Sequence, residues 1–181
     1  LTLISRTALA NANTTTITDC FSSTYADYVV MITAIQVETD GASIDFRFGT
    51  GGSVDSGTYY AYALQGYTME NSEKRSYPTI AVNAGRLFYS MDSGSTTGGS
   101  GVFYFQNPNG GHQLKCVTGH YTGSNSDSGT ELTTYNLGSW YYGSGAEAFT
   151  DISILSTSGN LRAGSLSNNN GVVSIYGVAK S

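Results

Sequence analysis

The sequence predicts an all-β protein: a single antiparallel β-sandwich domain, jelly-roll-like, with about ten strands over residues 1–181. Apolar residues recur at every second position in most segments, and β-branched and aromatic residues dominate those segments. Clusters of Gly, Asn and Ser separate the segments at intervals of roughly 10–15 residues, a spacing typical of a sandwich or barrel. No segment offers an apolar helical face of about ten residues or more, so no helix is expected.

The clearest strand is "ASIDFRFG" at residues 42–49, where Ile44, Phe46 and Phe48 alternate with charged residues. This alternation is typical of an antiparallel strand with one buried and one polar, solvated face. Further strands are expected at 59–69, 85–91, 101–107, 112–122, 131–142, 148–158 and 160–166.

Two segments carry apolar residues on both faces. Residues 28–38 are apolar on both faces as far as Ile35, so this strand either lies at the centre of the sandwich, which we expect, or contacts another subunit with its outer face. In "GVVSIYGV" at 171–178, Val173 and Ile175 share one face, and Tyr176 lies on the other. This last strand is also expected inside a sheet rather than at its margin.

Composition excludes some partners. Charged residues make up only 12% of the chain, and the net charge is −5, with eight Lys and Arg scattered along it. The one adjacent basic pair, Lys74-Arg75, lies in 70–78, which we expect to be a solvated loop. Without a basic stripe, nucleic acid is not an expected partner. No apolar run approaches the ~20 residues of a membrane-spanning helix, so membrane insertion is not expected either.

Catalytic and metal-binding motifs are not found. The glycine-rich "GTGGS" at 49–53 has no Lys and no helix after it, and it is expected to be a turn. His112 and His120 would lie ~27 Å apart on one extended strand, too far to share a metal. We therefore expect no enzyme activity, no catalytic residues, no cofactor and no metal. A glycan-cleaving enzyme remains an alternative, and it would need two carboxylates that face each other in a groove.

Cys20 and Cys116 show no metal-binding or redox spacing, so the sequence leaves open whether they form a disulfide, and with it the redox compartment. Asn13 begins an "NTT" sequon. The chain starts at Leu1 without Met, which is compatible with processing or with a longer protein.

"GSWYYGSG" at 138–145 is the candidate binding segment. Because neighbouring side chains on a strand point to opposite faces, Trp140 and Tyr142 share a face and Tyr141 points away. An exposed indole and phenol side by side would form a stacking platform for a sugar ring. The alternative is that Trp140 covers the end of the core. The platform predicts a carbohydrate-binding module of lectin type, with a host surface glycan as its partner.

The two ends of the chain resemble a known domain. "LIS" at 3–5 leads through Ser-, Thr- and Asn-rich sequence to "FSSTYADY" at 21–28, and the chain closes on "SIYGV" at 174–178. This order resembles a β-sandwich domain of tailed-bacteriophage virion proteins, of the tail fibre or capsid decoration type, especially from marine and cyanobacterial phages. Between the two ends, the resemblance is limited to aromatic strands and Gly- and Ser-rich loops and involves no fixed residues.

The resemblance implies a non-enzymatic structural protein on the virion surface, in a capsid decoration protein, a tail fibre or a receptor-binding tip. It implies no catalytic residues. Such a protein is expected to contact other virion proteins and to form a homo-oligomer, with a trimer favoured.

Overall fold

The described residues of the computed structural model contain fourteen strands and no helix. The described ranges are 1–68, 74–94, 98–125, 131–143, 147–162 and 171–179. The strands are β1 (Thr2–Ala8), β2 (Thr14–Ile17), β3 (Asp27–Val37), β4 (Ala42–Thr50), β5 (Ser53–Val54), β6 (Tyr60–Thr68), β7 (Lys74–Val82), β8 (Gly85–Met91), β9 (Gly99–Gln106), β10 (Leu114–Asn125), β11 (Glu131–Tyr142), β12 (Asp151–Ser156), β13 (Leu161–Arg162) and β14 (Val172–Val178).

The strands form two antiparallel layers. The larger sheet has the order β1-β14-β3-β9-β10-β11-β6-β7, and the smaller sheet has the order β8-β4-β12-β2, with β5 paired to β4. One residue pair, Met91 with Asn125, joins the two layers. The chain passes repeatedly between layers, for example from β3 to β4 and from β8 to β9, as in a jelly roll.

The predicted all-β antiparallel sandwich is confirmed. It has more strands than the ten expected, because β1, β2, β5 and β7 fall outside the predicted segments, and of these β2 and β5 are too short to show an alternating pattern. In the expected strand at 160–166, β13 occupies Leu161–Arg162, and residues 163–166 lie outside the described ranges.

Aromatic rings from the two layers interlock in the core. The ring of Phe105, on β9 of the larger sheet, lies 5.2 Å from that of Phe46 and 5.9 Å from that of Phe48, both on β4 of the smaller sheet. Tyr141 from β11 reaches the same group, 6.0 Å from Phe48. These edge-on contacts add to the burial of large apolar rings, so this cluster is a main source of stability.

The apolar face predicted for β4 is buried, as expected, at Ile44, Phe46 and Phe48. The opposite face is not solvated, contrary to the expectation, because Ser43 and Asp45 are buried as well. Asp45 is covered because its carboxylate pairs with Arg86 of the neighbouring strand β8.

Both doubly apolar segments lie inside the larger sheet. Strand β3 lies between β14 and β9, as expected, and β14 lies between β1 and β3. Val173 and Ile175 of β14 face the core and are fully buried. On β3, Val30 and Ile32 face the core, whereas Met31 points outward and is 37% exposed.

The two motifs that carry the resemblance pack against each other. The Tyr28 hydroxyl accepts a hydrogen bond from the Ser22 amide at 2.7 Å and donates one to the Ser22 carbonyl at 2.9 Å, which closes the "FSSTYADY" loop. The Tyr25 ring lies over Gly177 of "SIYGV", where a Cβ atom would be 2.5 Å from the ring. Only glycine leaves room for this ring, so these motif residues have a structural role.

The expectation of a solvated loop at 70–78 is wrong from residue 74 onward, because β7 begins at Lys74. Among the described strands it pairs with β6 alone, so it is an edge strand. Pro78 is tolerated there because an edge strand has one side without a ladder, and lysine is common on such edges. The missing apolar alternation therefore reflects an edge rather than a loop. Residues 70–73 lie outside the described ranges.

Candidate binding surface

The outer face of the larger sheet carries the predicted platform. Trp140 and Tyr142 both point outward from β11 and are 38% and 60% exposed. Trp140 lies opposite Cys116 of β10 and Ala61 of β6, and Tyr142 lies opposite Leu114. Trp140 therefore stands on the open sheet face and does not cover the end of the core. That it binds a sugar stays a prediction.

A hollow of about 350 Å³ lies beside the platform. Trp140 forms one wall, and Leu114, Cys116 and Thr118 of β10 line the rest together with Gly138. The lining is almost wholly apolar, so a ligand here would be held by ring and methylene contacts, with few hydrogen bonds.

Tyr141 faces the opposite way, as the alternation predicted, and its hydroxyl lies between two carboxylates. It donates a hydrogen bond of 2.6 Å to Asp55 and also contacts the carboxylate of Glu147. Burial and these two carboxylates raise the pKa of Tyr141, so it remains a neutral phenol.

Sequence reasoning did not find the pairing of Asp55 with Glu147. No sequence signal could have revealed it, since the two acids belong to different loops that only the fold brings together. The phenol hydroxyl fills the space between these carboxylates, where a glycosidic oxygen would have to lie. The pair therefore provides no open acid–base site.

Lys115 is a second feature that the sequence did not indicate. It faces inward from β10, is fully buried, and its amine contacts the Gly110 carbonyl oxygen. Burial lowers the pKa of Lys115, while the nearby Glu147 charge opposes that shift. The cation lies next to the Tyr141 cluster and partly balances its carboxylates.

Asp151 fastens the smaller sheet to two loops. Its carboxylate accepts hydrogen bonds from the amides of Asp19 at 3.0 Å and Gly52 at 2.6 Å, and from the Thr150 hydroxyl at 2.7 Å. Burial alone would raise the pKa of Asp151, but the hydrogen bonds outweigh it and lower the pKa.

As expected, residues 49–53 contain a turn; Gly52 has a left-handed φ of 83°.

Neither cysteine is in a disulfide. Cys20 is buried, and burial, with the Asp151 charge, raises the pKa of its thiol to about 12. The sulfur of such a residue is protonated at neutral pH and unreactive. Cys116 lies on the outer sheet face beside Trp140.

The two histidines are not brought together. His112 precedes β10 and His120 is on β10, and both are exposed. Within the described ranges, no group of three or more His, Cys, Asp or Glu residues could hold a metal ion. No helix in the described part of the chain has the length and hydropathy for a membrane crossing.

The sequon asparagine is engaged in the fold. The Asn13 side-chain amide donates hydrogen bonds to the carbonyls of Ser156 at 3.0 Å and Gly159 at 2.7 Å. A glycan on this nitrogen would replace one of the two donated protons and so remove one of these contacts, which indicates that Asn13 acts here as a structural tie.

The fold and surface together define an all-β sandwich with an exposed aromatic sheet face. No family model and no curated protein matches the chain. Among solved structures, a glycosyl hydrolase family protein from Mycobacterium fortuitum is 10% identical, with coverage of 86% of this chain and 64% of that chain and a TM-score of 0.22. This chain thus spans less than two thirds of that protein.

Two further structures show similarly weak likeness. A protein assigned as a β-glucanase from Mycobacterium abscessus is 8% identical, covering 89% of this chain and 68% of that chain, with a TM-score of 0.21. A structure of infectious bursal disease virus is 9% identical, covering 94% of this chain and 40% of that chain, with a TM-score of 0.15. Scores this low carry no argument about fold or activity.

Proposed function

We propose that this chain is a non-enzymatic structural protein on the surface of a tailed-bacteriophage virion, in a capsid decoration protein or a tail fibre, and that it forms a homo-oligomer, a trimer by preference. The proposal starts from the resemblance of the two chain ends. It is supported by the way those ends pack, since Tyr25 and Gly177 belong to the two motifs and lie in contact.

The proposal of an oligomer rests on the two apolar edges of the larger sheet. Among the described strands, β1 and β7 are its two end strands. Each presents large exposed apolar side chains: Leu3 on β1 is 53% exposed, and Ile80 on β7 is 78% exposed. An open edge with apolar side chains favours pairing with another chain. Contact between unlike edges is heterologous, and it closes into a ring when the rotation permits.

Light scattering on the purified chain tests the oligomer. We expect a mass three times the 19.1 kDa of one chain, and we expect Leu3→Lys or Ile80→Lys to give monomers because a lysine blocks either edge. Tyr67→Lys, at an exposed position inside the same sheet, is the control and should leave the oligomer intact.

Gold-labelled antibody against the chain should mark intact virions of the phage that encodes it. A monomeric wild type together with unmarked virions would refute the proposal.

A second candidate function is carbohydrate binding of lectin type. The observation that favours it is the exposure of Trp140 and Tyr142 on one face beside an apolar hollow. Aromatic rings present an apolar face with a polar tip, which suits the mixed surface of a sugar. The two functions are compatible, because a virion surface protein can attach to host glycans.

A glycan array with Trp140→Ala tests the second candidate. We expect the wild type to retain a subset of host-surface glycans and the variant to lose them, because the indole forms a wall of the hollow. Tyr67→Ala removes another exposed ring of the same sheet face, far from the hollow, and should change nothing. An array without wild-type binding, or with equal binding by Trp140→Ala, removes this candidate.

A further inference from the structure

We propose that the glycan site extends beyond the two-ring platform as a groove across the larger sheet, that Tyr104 is its second stacking ring, and that its ligand is an uncharged linear oligosaccharide. This inference rests on the carbohydrate-binding candidate above. It adds a residue, a direction across the sheet and a ligand class to that candidate.

Two hollows form the groove. The first, beside Trp140, lies over β10 and β11. The second has a volume of about 580 Å³ and lies over β3, β9 and β10, where Met31, Tyr104 and Gln106 are among its lining residues. Thr118 lines both hollows. They therefore meet at β10, on the same outward face, and continue one another across the strands.

The strand register sets the separation of the two rings. Tyr104 lies opposite Thr118, and Thr118 lies opposite Gly138, two residues before Trp140. With ~4.8 Å between strands and ~3.4 Å per residue, the backbones of Tyr104 and Trp140 are ~12 Å apart along the diagonal. A short oligosaccharide can reach both rings, whereas a monosaccharide can contact only one.

Gly138 leaves the groove open beside Trp140 on β11, level with Thr118 and Tyr104 on the neighbouring strands. A Cβ atom at this position would meet no atom within 4 Å, so the groove floor is lowered here by the missing side chain. Tyr104 is 48% exposed, which leaves its ring free to stack. The groove is thus unobstructed at Gly138, next to the Trp140 ring.

The charges of the lining select the ligand class. Neither hollow is lined by Lys or Arg, and Asp27 is the one ionised side chain among the described lining residues. Its carboxylate already accepts a hydrogen bond of 3.0 Å from the Asn107 amide. Neither hollow offers a Lys or Arg side chain to pair with a sulfated or uronic acid glycan. Gln106 and Thr118 offer an amide and a hydroxyl between the rings, which suits the hydroxyls of a neutral sugar.

Calorimetric titration with defined sugars tests the groove. The probes are neutral hexasaccharides of glucose, mannose and N-acetylglucosamine, the three monosaccharides, and a sulfated hexasaccharide. We expect one or more neutral hexasaccharides to bind and the sulfated one to fail. Tyr104→Ala should weaken hexasaccharide binding about 10-fold and leave monosaccharide binding unchanged. Gly138→Leu should also weaken hexasaccharide binding by filling the groove. Tyr67→Ala, on the same sheet face but opposite Thr134 and so away from the groove, should have no effect.

The outcomes separate the groove from the platform. If Trp140→Ala abolishes binding while Tyr104→Ala and Gly138→Leu retain the wild-type hexasaccharide affinity, the groove is wrong and the platform stands. If no wild-type glycan binding is found, the carbohydrate candidate fails and the groove fails with it. If Tyr104→Ala instead lowers the mass measured by light scattering, this face is a contact between copies, which also overturns the groove. Cooperative melting of each variant confirms that it is folded.

Discussion

Removal of residues 171–181 is expected to abolish folding. The deletion takes away β14, which is hydrogen-bonded to β3 on one side and to β1 on the other. Strand β1 then has no partner among the described strands. The deletion also removes the buried side chains of Val173 and Ile175, each worth about 1.5–3 kcal/mol of burial. Together with the lost ladders, this approaches the whole stability of a typical domain, about 5–15 kcal/mol.

Circular dichroism during thermal or urea unfolding measures the result. The truncated chain should show no cooperative transition, and a soluble truncation with a wild-type transition would show that β14 is dispensable. Two full-length variants guard against a simple failure to express. Ile175→Ala, on the core side, should cost about 2–5 kcal/mol. Tyr176→Ala, on the half-buried outer side of the same strand, should cost clearly less.

Replacement of Arg86 by Met is expected to destabilise the protein by about 3–5 kcal/mol at neutral pH. The Arg86 guanidinium pairs with Asp45 at 2.5 Å, and these side chains are only 13% and 10% exposed. Its Cζ atom also lies 4.9 Å from the centre of the Tyr62 ring and 5.7 Å from that of Tyr89. The variant leaves a buried carboxylate without its cation, which costs much more than the pair contributes as a unit.

The loss should depend on pH in a defined direction. Burial raises the pKa of Asp45 to about 6 even with Arg86 beside it. A carboxyl with a raised pKa in the folded state favours folding as it is protonated, so its contribution grows as the pH falls toward ~4. Without Arg86 the pKa of Asp45 rises further. The deficit of Arg86→Met relative to the wild type should therefore be largest near pH 8 and smaller near pH 5.

Urea unfolding at the two pH values tests this account. The double variant Asp45→Asn with Arg86→Met should recover much of the lost stability, because neither side chain of this pair then carries a buried charge. Arg6→Met, which removes an exposed cation on β1, is the control and should change stability little at either pH. A deficit that is equal at both pH values and persists in the double variant would show that Arg86 acts by packing alone.

The alternation of the sequence was sufficient to predict the longer core strands, though not β1, β2, β5 or β7, and to show which side of β4 and of β14 carries the buried apolar residues. It identified Ile44, Phe46 and Phe48 as one face of a strand, and it separated Tyr141 from its neighbours Trp140 and Tyr142. This works because the side-chain period of a strand is two whatever the strand packs against. The period is therefore local information, and the sequence contains it.

Only the tertiary structure decided what covers each face. The polar side of β4 is buried because Arg86 comes from another strand to pair with Asp45, and Tyr141 lies between Asp55 and Glu147 because two distant loops meet there. The outer face of β11 is open, and its register with β10 and β9 places Trp140 diagonally across the sheet from Tyr104, while Gly138 lies level with Thr118 and Tyr104. Such meetings depend on sheet order and register, which long-range packing sets and no local pattern records.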